Sequence, residues 1–174
     1  ICVNNRKILA ALAEICGGME QLSAITIAID KLDKIGMEKV KEELANRGVN
    51  EKNRLTILQY LALQENTTSS KERLEALRDF FVSSTLGLEG IEELGYLIHY
   101  FEELSVDVTL ARGLNYYTGS IFEVKPIGVQ IGSIGGGGRY DDLTGLFELP
   151  NIPGVGISFG VDRIFDVMEE LQLF

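Results

Sequence analysis

Apolar positions fall into two regimes along the chain. From Arg6 to Ile15 they follow one helical face, through Ile8, Leu9 and Leu12, with Asn4 or Asn5 as a cap and Gly17-Gly18 as a stop. A second helix is predicted from about Met19 to Ile35, ended by Gly36. Apolar residues then recur at Val40 and Leu44, at Leu55, Leu58 and Leu61, at Leu74, Leu77 and Phe81, and at Leu94, Leu97, Ile98 and Phe101. That spacing predicts four short helices, each with one sticky face. The polar break Asn66-Thr-Thr-Ser-Ser70 caps the third, and Gly95 to Phe101, which holds the single histidine His99, reads as a packed helix face.

After Ser105 the period changes. Val106 to Leu110 alternates, Ser120 to Val124 is β-rich, and Val129-Gln-Ile131 is expected to pair back across a turn at Lys125-Pro126. Gly154 to Gly160 reads as a buried strand feeding a helix from Val161 to Leu171, and Ile1 to Asn4 as the end of another strand. Residues 105–174 hold 12 of the 19 glycines and all three prolines, which separates a strand-and-turn region from the helical middle. The expected class is α+β, a mainly antiparallel sheet with a small helical domain inserted.

Composition narrows the function classes. The 174 residues are 24% charged and 45% hydrophobic, enough to bury a core and too apolar for disorder. No apolar run approaches the roughly 20 residues of a membrane-spanning helix, so no membrane partner is expected. A net charge of −10 repels a phosphate backbone at long range and argues against indiscriminate nucleic-acid binding. Cys2 and Cys16 form no CxxC pair and are expected as buried free thiols in apolar surroundings. One histidine excludes a multi-His metal site. No charged leader precedes an apolar run, and the chain opens within an apolar segment and stops at Leu171-Gln-Leu-Phe174 without a capping residue, so a fragment of a longer protein is expected.

Three clusters carry candidate chemistry. In Ala111-Arg-Gly-Leu-Asn-Tyr-Tyr-Thr-Gly119, Arg112 stands at a strand end, Gly113 frees the turn, and Tyr116 and Tyr117 supply flat walls with hydroxyl handles. Such a corner suits a small polar ring beside an anion; the competing reading is a hairpin with a surface arginine and core tyrosines. In Ser133-Ile-Gly-Gly-Gly-Gly-Arg-Tyr-Asp-Asp-Leu143, four consecutive glycines are entropically costly, so a ligand or a packed strand must approach closely. No Gly-Lys-Ser/Thr follows, which excludes a P-loop, and Arg139-Tyr140 is expected to open a helix. In Pro153-Gly-Val-Gly-Ile-Ser-Phe-Gly-Val-Asp-Arg-Ile164, the glycine spacing fails the dinucleotide fingerprint. Arg163 in the first helical turn makes sense opposite an anion, the alternative being an ion pair with Asp162 or Asp166. Together the clusters describe a pocket for an anionic nucleotide and a small polar ring.

Arg112-Gly-Leu-Asn-Tyr-Tyr117, Gly136-Gly-Gly-Arg-Tyr-Asp-Asp-Leu143 and Gly156-Ile-Ser-Phe-Gly-Val-Asp-Arg163 resemble, in order and spacing, the two histidine-specific signatures and the third class motif of the histidyl-tRNA synthetase family. Asp30-Lys-Leu-Asp-Lys34 and Val3-Asn-Asn-Arg-Lys-Ile8 resemble that family's stretch after its second class motif. The resemblance implies a class II synthetase that activates histidine with ATP to histidyl-adenylate and transfers it to its tRNA, a cytoplasmic homodimer using Mg2+ with ATP and no protein-ligated metal in this stretch. It implies Arg112 as the catalytic arginine at the α-phosphate, and Tyr116, Tyr117 and Tyr140 around histidine. Arg163 is implied at the γ-phosphate, with Gly156, Ser158 and Gly160 in the strand under adenosine. Residues 1–37 and 104–174 would be catalytic core, and 38–103 the helical insertion domain that leans on the tRNA. Residues 31–54 have seven basic and five acidic side chains against three and nine in 55–104, so Lys39, Lys41, Arg47, Lys52 and Arg54 are the tRNA-facing candidates. The competing reading for each is a solvated helix face with offsetting pairs.

Two departures stand out: Asn115 occupies a position where the family usually has Asp, and Asp162 one where Glu is common. The first two class motifs and the anticodon-binding domain are not in the chain, so by itself it is expected to be inactive. The main rival is the non-catalytic histidine-binding regulatory subunit of ATP phosphoribosyltransferase, which resembles the same core but usually lacks the insertion and has eroded signatures.

Overall fold

Strand β1 (Cys2–Asn5) turns directly into helix α1 (Arg6–Ile15) in the computed structural model, which describes residues 1–111 and 116–174. Asn5 is the cap: its side-chain oxygen accepts from the Lys7 amide at 2.9 Å. Gly17 and Gly18 end the helix with φ of 115° and 128°, a region closed to most side chains. The predicted second helix is divided. A 3-10 turn at Met19–Gln21 leads into α2 (Leu22–Asp30), and α3 (Leu32–Asn46) begins after a break at Lys31. Gly36 kinks α3 at φ 76° and ψ 167°, so the predicted stop is an interruption after which the helix resumes.

The rest of α3 and α4 (Glu51–Asn66), α5 (Ser70–Phe80) and α6 (Thr85–Tyr100) are the four predicted segments. Asn50, Ser69 and Ser84 cap the last three through their side chains. Their inward faces bury Tyr60, Leu61, Leu77, Phe81, Ile91 and Leu94 against α1 and β1 in one continuous core, each apolar side chain contributing about 1.5–3 kcal/mol. Gly90 lets α6 approach α1: a Cβ there would lie 3.2 Å from the Ile8 amide nitrogen. The end of α6 differs from expectation. Tyr96, His99, Tyr100 and Phe101 are exposed, because Ile91, Leu94 and Ile98 already form the inward stripe and the aromatic residues fall outside it.

The sheet has the order β2-β1-β3-β4-β5, with β2 (Ser105–Val106), β3 (Ser120–Val124), β4 (Gly135–Tyr140) and β5 (Gly154–Phe159). Among the described residues only β1 and β2 run parallel; the other pairings are antiparallel, as hairpin spacing predicted. Four expectations fail locally, the first being burial of β5: it stands at the end of the strand order, and Val155, Ile157 and Phe159 are exposed. The Val106–Leu110 strand stops after Val106, because Asp107 Oδ1 accepts from the amide and hydroxyl of Thr109 and folds the backbone into a turn. Val129–Ile131 is not a strand, since β3 pairs with the glycine run itself. Arg139 and Tyr140 therefore end β4 instead of opening a helix. Helix α7 (Val161–Glu170) follows β5. Among the described residues no single helix is long and apolar enough to cross a membrane.

Candidate active site

Register decides which side chains share a face. Ile121 pairs with Gly138 and Gly138 with Gly156, while Glu123 pairs with Gly136 and Gly136 with Ser158. Alternation puts Tyr140 and Gly154 on this same face. From β3 outward the face is thus floored by Gly136, Gly138, Gly154 and Gly156, and only Tyr140 and Ser158 carry side chains on β4 and β5.

The bare floor is partly roofed by tyrosine rings. A Cβ on Gly138 would meet the Tyr117 ring at 2.9 Å, and one on Gly154 would meet Tyr140 Cζ at 2.6 Å. Any larger residue would therefore lift a ring from the sheet. Tyr116 joins the group with its ring centroid 4.7 Å from Tyr117 and 6.1 Å from Tyr140. Burial, and then the hydrogen bond with Tyr116, pushes the Tyr117 hydroxyl up to about 12, so it stays neutral at pH 7. The Thr118 hydroxyl donates to Asp141 at 2.6 Å and Arg139 Nε to the same carboxylate at 3.0 Å, which pins the end of the tyrosine segment to β4. These bonds, the Thr118 bond foremost, hold the Asp141 carboxyl below its usual range.

Beside the rings lies a cleft of about 240 Å³ walled by Tyr117, Glu123, Ser133, Gly136, Ser158 and Arg163. Arg163 sits in the first turn of α7 and its Nη1 donates to the Ser133 carbonyl at 2.7 Å. Among the described residues it makes no ion pair, so neither Asp162 nor Asp166 is its partner. A helix N-terminus and a guanidinium without a counter-charge together make a positive end to the cleft, suited to an anion. Gly160 closes the turn, its amide donating to the Ile134 carbonyl at 2.9 Å.

The structure thus gathers Tyr117, Ser158 and Arg163 in one cleft and sets Tyr116, Tyr140 and Gly156 next to it on the same face. Arg112 and Asn115 lie outside the described residues. Of the basic candidates, Arg47 pairs with Glu43 at 2.7 Å and Arg54 Nη1 donates to the Val49 carbonyl at 2.7 Å. Lys39, Lys41 and Lys52 are exposed and form no ion pair among the described residues. Glu123 and Ser133 were not singled out from sequence; the signal for Glu123 was its alternation in register with Ile121, which gives a charge an inward position. Cys16 is buried, whereas Cys2 is only half-buried: it packs against the core, and the β1 register also sets it opposite Glu123. Among the described residues no group of three or more His, Cys, Asp or Glu could hold a metal ion.

The chain matches the family model described as histidyl-tRNA synthetase over residues 1–164. A histidine-tRNA ligase of Bacteroides fragilis is 50% identical over 180 residues, covering 100% of this chain and 39% of the relative. One of Flavobacterium johnsoniae is 51% identical over 182 residues, covering 100% and 38%. The crystal structure of histidyl-tRNA synthetase from Nostoc sp. PCC 7120 superposes with a TM-score of 0.87 at 32% identity, over 99% of this chain and 42% of that one. A Bacillus halodurans structure described as an ATP phosphoribosyltransferase regulatory subunit/histidyl-tRNA synthetase shares the fold, with a TM-score of 0.76 at 18% identity over 95% and 43%. The chain spans about two fifths of the length of the curated relatives it matches. With its signatures meeting on one face of the sheet and the family model matching nearly its whole length, the chain belongs to the histidyl-tRNA synthetase family.

Proposed function

We propose that this chain is part of the catalytic core of an enzyme that activates histidine with ATP and transfers it to its tRNA. The observation that carries the reading is the cleft: residues from three separate signatures, the Tyr117 side chain, the Gly136 and Gly137 backbone, and the side chains of Ser158 and Arg163, meet around one space. In the first step a carboxylate oxygen of histidine attacks the α-phosphorus of ATP, the bond to the β-phosphate breaks, and pyrophosphate leaves with that electron pair. Tyr116, Tyr117 and Tyr140 hold the histidine side chain, and the glycine floor with Gly156, Ser158 and Gly160 admits adenosine flat against the backbone. Arg163 receives the terminal phosphate. Arg112 stabilises charge on the α-phosphate, a role typically worth about 3–4 kcal/mol. Mg2+ enters with ATP.

Residues 1–37 and 104–174 form the core in this reading, and 38–103 an insertion whose exposed Lys39, Lys41 and Lys52 face tRNA. The working protein is a cytoplasmic homodimer, and the 174 residues alone do not turn over. The regulatory-subunit alternative is disfavoured by the helical insertion, by intact Tyr116, Tyr117 and Arg163, and by curated relatives at about 50% identity that are named as ligases.

The test is histidine-dependent exchange of pyrophosphate into ATP by the complete protein. Exchange with histidine and no other amino acid is expected, with Arg112→Ala reducing it by more than about a hundredfold. Histidine binding without exchange would convert the site into a sensor and refute the reading. Deleting residues 38–103 should spare exchange and injure aminoacylation; equal damage to both steps rules out a tRNA-facing insertion.

A further inference from the structure

Beneath the cleft, three segments distant in sequence meet at one cation. Lys125 Nζ lies 3.7 Å from Asp33 Oδ2, 3.7 Å from Asp107 Oδ2 and 3.5 Å from Glu123 Oε2. Asp33 comes from α3 ahead of its kink, Asp107 from the turn after β2, and Glu123 from β3. Asp107 and Glu123 are 6% and 4% exposed, so each carboxylate needs a counter-charge to remain where it is. None of the three distances is short enough to make one carboxylate the sole partner, and a compact ammonium on a flexible stem suits a shared position better than a planar fork. Burial pulls the Lys125 pKa down, yet the three carboxylates, Asp107 foremost, hold it above its ordinary value. The ammonium therefore stays charged across the working pH range.

Glu123 also belongs to the wall of the cleft, with Tyr117 and Arg163. We propose that Lys125 is a positioning residue for ligand binding: by bridging Asp33, Asp107 and Glu123 it fixes the Glu123 carboxylate in that wall. The inference rests on the reading of the cleft as the histidine and ATP site. Lys125 itself lies outside the cleft and acts through Glu123.

In the complete protein, Lys125→Met should raise the KM for histidine or ATP in pyrophosphate exchange at least about tenfold while kcat changes less than about threefold. Lys125→Arg should bring KM back to within about threefold, because a cation is restored. Glu123→Gln should raise the same KM, and the double variant should be no worse than the worse single one. A wild-type KM in Lys125→Met overturns the proposal, as does a double variant in which the two effects multiply. So does a loss that Lys125→Arg fails to restore and that follows a common fall in Tm, since that is a purely structural role. Absence of exchange in the unmutated protein sinks the functional reading instead. The Lys125 and Glu123 coupling is then read from the same double-mutant cycle on thermal unfolding, where strict additivity overturns it.

Discussion

Arg73 should be the residue whose loss uncouples the helical middle from the sheet. It lies on α5, is 6% exposed, and uses its whole guanidinium: Nε donates to the Thr67 hydroxyl at 2.9 Å, Nη2 to the carbonyls of Gln64 and Thr67 at 3.0 Å each, and Nη1 to the Val106 carbonyl. The first three partners close the end of α4, whose last carbonyls have no helical donor, and the fourth is β2. Arg73→Met keeps the stem and removes the donors. Hydrogen bonds to a charged group are worth about 1.5–3 kcal/mol each. Gln64 and Thr67 are half-buried and regain water, so most of their share is recovered; Val106 is fully buried and its carbonyl stays unpaired. One full charged bond, the desolvation of that carbonyl and a residue from α4 sum to about 3–5 kcal/mol. Urea unfolding of the chain reads this directly. With a slope of about 2 kcal/mol per molar, the middle of the usual range, the midpoint should fall by about 1.5–2.5 M at unchanged slope. Arg73→Lys, a point charge that reaches one carbonyl, should recover less than half. A midpoint loss below about 0.5 M for Arg73→Met means that water replaces the guanidinium, and the clamp account is then wrong.

Three further outcomes are expected. A Cβ on Gly156 would rest 3.4 Å from Tyr140 Cε1, an ordinary contact, so Gly156→Ala should melt within a few degrees of the parent yet cut exchange by the complete protein at least about tenfold, by raising the floor under the nucleotide; unchanged exchange argues against close approach there. Thr118→Val removes the main bond that depresses Asp141, and since the contribution of a depressed carboxyl is complete above its unfolded pKa and is lost as pH falls through its lower folded value, the penalty should be present at pH 7 and shrink progressively as pH falls below about 4. Asp141 is 41% exposed, so the penalty stays below about 1 kcal/mol, and an equal midpoint shift at pH 7 and pH 3 contradicts the assignment. Burial pushes the Cys16 thiol up to about 11, and burial followed by Asp107 also raises Cys2. Alkylation at pH 8 should spare Cys16 until the chain unfolds and modify Cys2 more slowly than free cysteine; rapid labelling of Cys16 in the folded chain refutes its burial.

Where local chemistry decides structure, the sequence was readable. Asn5, Ser69 and Gly17-Gly18 act within one helical turn, and each stands where its residue type called for it. Misreadings cluster where a distant partner overrides a local pattern. Val106 to Leu110 alternates like a strand, yet the Asp107 side chain takes over the backbone donors and ends it. The glycine run has poor strand propensity and is nevertheless β4, because Phe122 crowds one face, where Gly137 sits, and Tyr117 covers the other at Gly138. Neither neighbour can be identified before the register is known. The aromatic end of α6 shows the same limit, since a spacing that fits a buried face fits an exposed one equally well.

The site was legible in residue type and illegible in arrangement, and Arg163 shows why. Sequence leaves two accounts of an arginine in a first helical turn: an ion pair within the helix, or an anion opposite it. The choice between them is made by Ser133, 30 residues away, whose carbonyl draws the guanidinium off the helix toward the cleft. At that point Arg163 stands beside a helix N-terminus without a described counter-charge, in a chain of net charge −10. Most of such a surface repels phosphate, so a positive end at a glycine-floored cleft concentrates anion binding in one place. The acidic balance that argues against indiscriminate nucleic-acid binding thereby makes the cleft the favoured place for the nucleotide of the proposed function, and Glu123, which lines the same cleft with Lys125 behind it, gives it both signs of charge.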